Sequence, residues 1–195
     1  MTKGDRRKQR FETGSGVEYS PHSMMHKAIV RMDPTKLEML NGFERTDNGH
    51  KYAPPDSNVR VIISGRDWSN KRLFVYGCLS SEEAAEYIEK IINRVCEIGH
   101  EATLLERPEI MNIAVSGDLG TPLQLEEIPL GDNDPGLTVE YEPEQFPAAI
   151  VRLDDFSATF MLYSTGRFVI QGLRRTEDIE PAINRIQTFL KTTVP

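Results

Sequence analysis

Four histidines (His22, His26, His50 and His100), two cysteines (Cys78 and Cys96) and the adjacent carboxylates Asp154 and Asp155 are the side chains of this 195-residue sequence best suited to catalysis or metal binding. None of them falls into a working pattern. His22 and His26 have the i, i+4 spacing of a helical metal pair, but they sit where a strand and its turn are expected, so no metal is predicted. Two cysteines make no disulfide framework, and both thiols read as small apolar groups in a reducing compartment. No Gly-rich phosphate loop precedes a helix, and Asp154-Asp155 lies between two alternating runs, where a hairpin turn is the better reading. No catalytic residue and no cofactor is therefore expected. The remaining chemistry is recognition. Residues 139–174 alternate apolar and polar side chains and carry Phe146, Tyr163, Arg152, Arg167 and Arg174, a mixture that suits binding along a sheet.

Composition narrows the partner. The net charge is −7, with 38% hydrophobic residues, which argues against a general coat for nucleic acid, since phosphate neutralisation needs clustered cations. The acidic residues gather on predicted helices and turns, however, and leave the face of a sheet without negative charge. No apolar run approaches the ~18 residues of a membrane span, and the basic N-terminus lacks the apolar stretch of a secretory signal. Residues 1–16 read as a basic flexible tail. A cytoplasmic protein with no membrane partner is expected.

The positioning elements follow from periodicity. Val59–Ser64 and Arg72–Gly77 read as a hairpin of β-branched and aromatic residues. Ser80–Ile98 reads as a helix, with Ser80 and Glu83 as its capping box, Ala84, Tyr87, Ile88, Ile91, Val95 and Ile98 as its apolar face and Gly99 as its stop. Ile179, Ala182, Ile183, Ile186, Phe189 and Leu190 mark a second helix, with Pro181 in its first turn. Val17-Glu18-Tyr19-Ser20-Pro21 recurs as Val139-Glu140-Tyr141-Glu142-Pro143, Ala28–Asp33 recurs as Ala149–Asp154, and Gly77 and Gly172 close similar strands. The spacing between copies shortens from Asp33 to Gly77, so the first copy holds an insertion around residues 34–57. Each helix would cover one face of its sheet. The other face, with Ala114, Met161, Tyr163 and Val169, is left as a binding surface.

The motifs of the second copy resemble those of the TATA-box-binding protein family. Tyr141-Glu142-Pro143-Glu144-Gln145-Phe146-Pro147-Ala148 resembles its stirrup, YEPE-x-FPG, and Met111–Gly120 resembles its opening strand. Val151-Arg152-Leu153 and Thr165-Gly166-Arg167 are similar to its basic strand end and its S-G-K turn. The likeness is close over 109–193, partial over 17–100 and absent before that, and the acidic exterior is similar to that of members from halophilic archaea. It implies an α+β saddle of two pseudo-symmetric lobes, 17–100 (degenerate) and 101–195, with one curved antiparallel sheet and helices on its convex face. It also implies a transcription initiation factor, associated with the nucleoid, that binds A·T-rich promoter DNA in the minor groove and recruits transcription factor B. Asn112 would then read base edges, Ala114, Met161 and Val169 would touch the groove, and Phe146 and Tyr163 would be wedges. Gln171 stands where Thr is usual, Arg152, Arg167 and Arg174 match phosphate contacts, and Glu142, Glu144 and Gln145 match the surface for factor B.

In the first copy Arg31 and Arg72 match basic positions, Phe74 and Tyr76 replace smaller groove contacts, and Leu79 replaces a basic residue. Met24 or Met25 is expected in the place of Phe146, and the second wedge position falls near Ile63. The opening strand has no counterpart unless Gln9–Thr13 supplies it. The first lobe is thus expected to lack one strand beside the lobe junction, an edge that would be filled by Gln9–Thr13 or by self-association into a homodimer. The alternative function is a regulator of the same fold that has lost productive DNA binding and binds factor B, itself or another protein.

Overall fold

Strands that cover one face with a helix must alternate buried and accessible residues, because successive side chains point to opposite sides of the pleat. That alternation runs through almost every strand of the computed structural model, which describes residues 9–55, 57–65 and 67–193. The strands are β1 (Phe11–Glu12), β2 (Glu18–Met32), β3 (Phe43–Thr46), β4 (Gly49–Tyr52), β5 (Arg60–Ser64), β6 (Lys71–Tyr76) and β7 (Ala102–Asp118), then β8 (Gly131–Asp134), β9 (Leu137–Glu140), β10 (Ala148–Leu153), β11 (Ala158–Tyr163) and β12 (Arg167–Leu173). Helix α1 (Ser81–Glu97) precedes β7, and α2 (Ile179–Thr193) follows β12. The chain divides into two compact units, Ser23–Met111 and a second made of residues 9–22 and 112–193. Both β2 and β7 contribute residues to each.

In the first unit the strand order is β3-β4-β5-β6-β2-β7, with each pair from β3 to β2 antiparallel. On β2, Ala28, Val30 and Met32 join Val61 and Ile63 of β5 and Leu73 and Val75 of β6 in one core with Ala84, Ile88, Ile91 and Val95 of α1. Each fully buried Ile or Val of α1 contributes about 1.5–3 kcal/mol. The capping box forms as expected, with the Glu83 N–H donating to Ser80 Oγ at 3.1 Å, worth about 1 kcal/mol. Gly99 closes the helix at φ 82°, a conformation that a side chain disfavours. Two expectations about α1 are corrected. Ile98 is 38% exposed, beyond the reach of the core, and Cys96 is exposed while only Cys78 is buried.

In the second unit the order is β1-β2-β7-β12-β11-β10-β9-β8. Val151, Phe160, Leu162, Phe168, Ile170 and Val115 are buried on one side of the strands, and all six residues expected on the apolar face of α2 are buried. Residues 9–16, read from the sequence as flexible tail, instead form β1 and a turn. The turn docks on α2: the Gly14 N–H donates to Glu180 Oε1 at 2.7 Å, and Ser15 Oγ donates to Asn184 Oδ1 at 3.0 Å. Glu180 and Asn184 lie one turn apart on one helix face.

The topology corrects the expected repeat. Counting back from each helix, β6 matches β12, β5 matches β11, β4 matches β10, β3 matches β9 and β2 matches β7. Gly77 and Gly172 are then equivalent, with φ 89° and 101°, and a Cβ on either would stand within 2.6 Å of a carbonyl oxygen, that of Asn58 or Ser157. Arg31 and Arg152 are not equivalent, because Arg31 lies on β2 and Arg152 on β10. The first unit therefore has its opening strand, β2, and the open edge on which self-association was expected is occupied. The insertion is the β3–β4 hairpin, which completes the sheet. Met24 and Ile63, expected near wedge positions, are 4% and 1% exposed; both point into the core by strand parity.

His26 belongs to that buried side. It is 0% exposed, neither ring nitrogen has a hydrogen-bond partner among the described residues, and the register-equivalent residue of the second unit is Val115. Burial holds its pKa below the usual value, against the opposing pull of Glu83 and Glu82. Below about pH 6.5 the unfolded chain takes up a proton that the folded chain resists, so stability falls with acid. His26→Val should raise unfolding stability by about 1 kcal/mol, by removing an unpaired buried polar group. In urea titrations the gain should be larger at pH 5.5 than at pH 7.5.

Candidate nucleic-acid interface

The accessible face of the second unit is assembled by register. Ile150, Met161, Val169 and Ser116 stand opposite one another across four strands, and Arg152, Thr159 and Gln171 form the neighbouring row. Tyr163 pairs with Ala148, and Arg167 pairs with Asp118. Met161, Val169 and Tyr163 are half-buried while Arg152, Arg167, Gln171 and Arg174 are exposed, and Ala114 is 6% exposed. Strand alternation from Ala114 and Arg152 was signal enough to add Ser116 and Ile150 to the expected set.

Asn112 is fixed by the backbone. The β12–β7 register shifts between Ile170 and Leu173, and Asn112 Oδ1 accepts the Gly172 N–H at 2.7 Å. Only glycine suits position 172, since a Cβ there would lie 2.4 Å from the Ser157 carbonyl oxygen. With its oxygen engaged, the Asn112 side chain has an N–H2 donor without a hydrogen-bond partner among the described residues.

The 141–147 loop between β9 and β10 carries the aromatic tip. The Glu142 carbonyl accepts the N–H groups of Gln145 and Phe146 at 2.9 and 3.0 Å, and the Gln145 side chain donates to the Glu142 carboxylate. This tight turn leaves Glu142, Glu144 and Gln145 exposed and holds Phe146, 37% exposed, with its ring 6.5 Å from Tyr163 at 60°. Beside the two rings lies an open cleft of about 850 Å³, lined by Pro147, Tyr163, Val169, Ser116 and Arg167 and by Arg10 and Tyr19 of the N-terminal hairpin. Neither of these two was among the expected binding residues, since β1, which pairs with β2 at Tyr19, is only two residues long.

The arginines are balanced by carboxylates. Arg152 donates to Glu140, and that hydrogen bond followed by its charge holds the Glu140 carboxyl below its usual range and raises Arg152. Arg167 approaches Asp118 at 3.9 Å, and Arg174 has no ion pair among the described residues. In the first unit, Arg31, Arg72, Phe74 and Tyr76 occupy the side away from α1, where the guanidinium of Arg60 stands 4.8 Å over the Tyr76 ring. Among the described residues no three His, Cys, Asp or Glu side chains could hold a metal ion, and His22 and His26 both lie on β2.

Sheets with a helix on one face, and aromatic and arginine side chains on the other, define an α+β protein with an uncovered sheet face. Residues 107–193 match the family model described as transcription factor TFIID, or TATA-binding protein. The TATA-box-binding protein of Pyrodictium occultum is 32% identical over 173 residues, covering 84% of this chain and 82% of the relative. That of Archaeoglobus fulgidus is 36% identical over 119 residues, and the aligned part spans 60% of this chain and 62% of the relative's length. The solved structure of the Methanococcus jannaschii TBP is similar at a TM-score of 0.73 with 28% identity, covering 89% of this chain and 98% of that one. The chain belongs to the TATA-box-binding protein family.

The two polar ends of the Asn112 amide can be separated by substitution. Asn112→Ala should lower unfolding stability by about 1 kcal/mol, the ordinary worth of such a hydrogen bond. Asn112→Asp keeps the acceptor for Gly172 and should lose less, while removing the N–H2 donor. Thermal melts of the two variants check the order.

Proposed function

We propose that this chain is a transcription initiation factor that binds A·T-rich duplex DNA in the minor groove and recruits transcription factor B through Glu142, Glu144 and Gln145. The observation that carries the reading is the pair of aromatic rings, Phe146 and Tyr163, standing beside an apolar row that the amide donors of Asn112 and Gln171 adjoin. The minor groove presents mainly acceptors and distinguishes A·T from G·C by little more than one donor, so an apolar floor with few donors suits it. Apolar side chains that enter a base step unstack it and kink the duplex, and this family is itself the standard example. Arg152, Arg167 and Arg174 would hold the flanking phosphates. The relatives' names support the DNA reading, and the exposed carboxylates of the 141–147 loop support the protein contact. Such a factor works at the nucleoid, in the cytoplasm.

The loop lacks a counterpart in the first unit, and this favours the second reading, a regulator that binds factor B without productive DNA binding. Mobility-shift titration on an A·T-rich duplex, with and without factor B, separates the two. Under the proposal, Phe146→Ala weakens binding about tenfold or more, since a base–aromatic contact is worth roughly 1–3 kcal/mol. Arg152→Ala should weaken binding to all sequences and flatten the salt dependence. Glu140→Gln should do the reverse by releasing Arg152 from its carboxylate. Glu144→Arg should leave DNA binding intact and abolish factor B recruitment. Undetectable DNA binding alongside intact factor B binding would establish the second reading instead.

A further inference from the structure

We infer that the first unit grips duplex DNA by charge and unstacks no base step, so that the chain distorts its DNA at the second unit alone. This rests on the DNA-binding reading above and adds a division of labour between the two units.

Register shows what the first unit lacks. Its β3–β4 connection is closed by the Thr46–Gly49 pair around Asp47 and Asn48, where the second unit has the 141–147 loop between β9 and β10. Asp47 and Asn48 are exposed polar residues, so no ring projects from this turn. Gly49 locks it in place, since a Cβ there would lie 2.0 Å from the Ile63 carbonyl oxygen. The Tyr163 position is vacated as well. Tyr163 stands opposite Ala148, and its counterpart opposite Gly49 is Ser64. Both wedge positions of the second unit are thus filled by small or polar residues in the first. On the strands of the first face, Phe74 and Tyr76 are half-buried opposite Lys27 and Met25, Arg60 lies over the ring of Tyr76, and Trp68, 49% exposed, lies off the strands in the turn between β5 and β6. Phe74 and Tyr76 form a floor.

Charge shows what the first unit has instead. Strand parity places Lys27, Arg31, Lys51, Arg60 and Arg72 on the side away from α1, where Glu44 pairs with Lys51 at 3.3 Å and Arg107 and Glu109 of β7 offset each other in charge. On the second unit's face, Arg152 and Arg167 are each matched by a carboxylate, Glu140 and Asp118. A local cationic excess on a chain of net charge −7 is suited to phosphates, and the salt that screens it over about 10 Å acts on it most strongly. One unit supplies attraction and the other supplies deformation.

The test uses the full chain and an A·T-rich duplex carrying 2-aminopurine at each adenine in turn, whose fluorescence rises where stacking is lost. The expected result is one contiguous stretch of raised fluorescence, abolished in the F146A/Y163A variant. The R60A/R72A variant should bind at least tenfold more weakly in low salt. Its plot of log affinity against log salt should be shallower by about two phosphate contacts, with the fluorescent stretch unmoved at saturation. K27Q/R31Q should flatten the plot independently, and thermal melts confirm that each variant is folded. Two separated fluorescent stretches, or one that survives F146A/Y163A, would overturn the inference while leaving DNA binding intact, as would an unchanged salt slope in both cationic variants. A wild-type chain that shifts no duplex at any salt would overturn the proposed function, and this inference with it.

Discussion

Each unit has one amphipathic helix, and an amphipathic helix has one apolar stripe, which can cover one face of a sheet. The remaining architecture depends on that limit. Burying Ile88, Ile91 and Val95 of α1, or Ile183, Ile186 and Phe189 of α2, requires every strand beneath to present its apolar residues on the same side. A slip of one residue would turn a strand's whole buried set outward. The pairings in each unit are therefore fixed by burial on the covered face, and the residues of the uncovered face are carried into their rows as a consequence. Ile150, Met161 and Val169 meet across three strands because Val151, Phe160 and Ile170 must meet behind them.

Backbone geometry then sets the details that burial leaves free. The equivalent glycines Gly77 and Gly172 sit at positive φ against a carbonyl oxygen of the adjoining strand, where a Cβ would force the strands apart. At Gly172 the register shift brings a backbone N–H to Asn112 Oδ1, which fixes the side-chain amide in place. The 141–147 loop works in a similar way, since two backbone hydrogen bonds to the Glu142 carbonyl hold Phe146 near Tyr163. Two aromatic side chains far apart in sequence become one apolar tip because the loop has little freedom left to lose on binding.

Common topology has not kept the two units chemically alike. The second has the exposed aromatic tip and pairs Arg152 and Arg167 with carboxylates, while the first has a two-residue turn in place of the tip and accumulates cations. The net negative charge of the chain is carried largely by helices and turns. Its average therefore says little about either face, since a ligand lying on a sheet meets the local field, screened from the rest by salt.

Much of the second unit, and the helix of the first, was legible in the sequence. The capping box of α1, the apolar stripe of α2, the turns at Asp154-Asp155 and Thr165-Gly166 and the whole motif from Tyr141 to Pro147 are local features, set by residues a few positions apart. Such signals survive without knowledge of what they pack against. The first unit was misread for the complementary reason. Val17–Pro21 and Ala28–Asp33 look like the neighbourhood of β10, yet they lie along β2, which pairs with β6 and β7. An alternating run has the same appearance in any strand of a half-covered sheet, so sequence marked Ala28–Asp33 as strand but put a turn at His22–His26, where β2 runs straight through. Only the tertiary structure decided which strands flank β2, because pairing is chosen by residues forty to ninety positions away that must share one helix's apolar stripe. The same long-range choice placed Met24 in the core, Ser64 rather than Ile63 at the counterpart of Tyr163, and an excess of cations on one face.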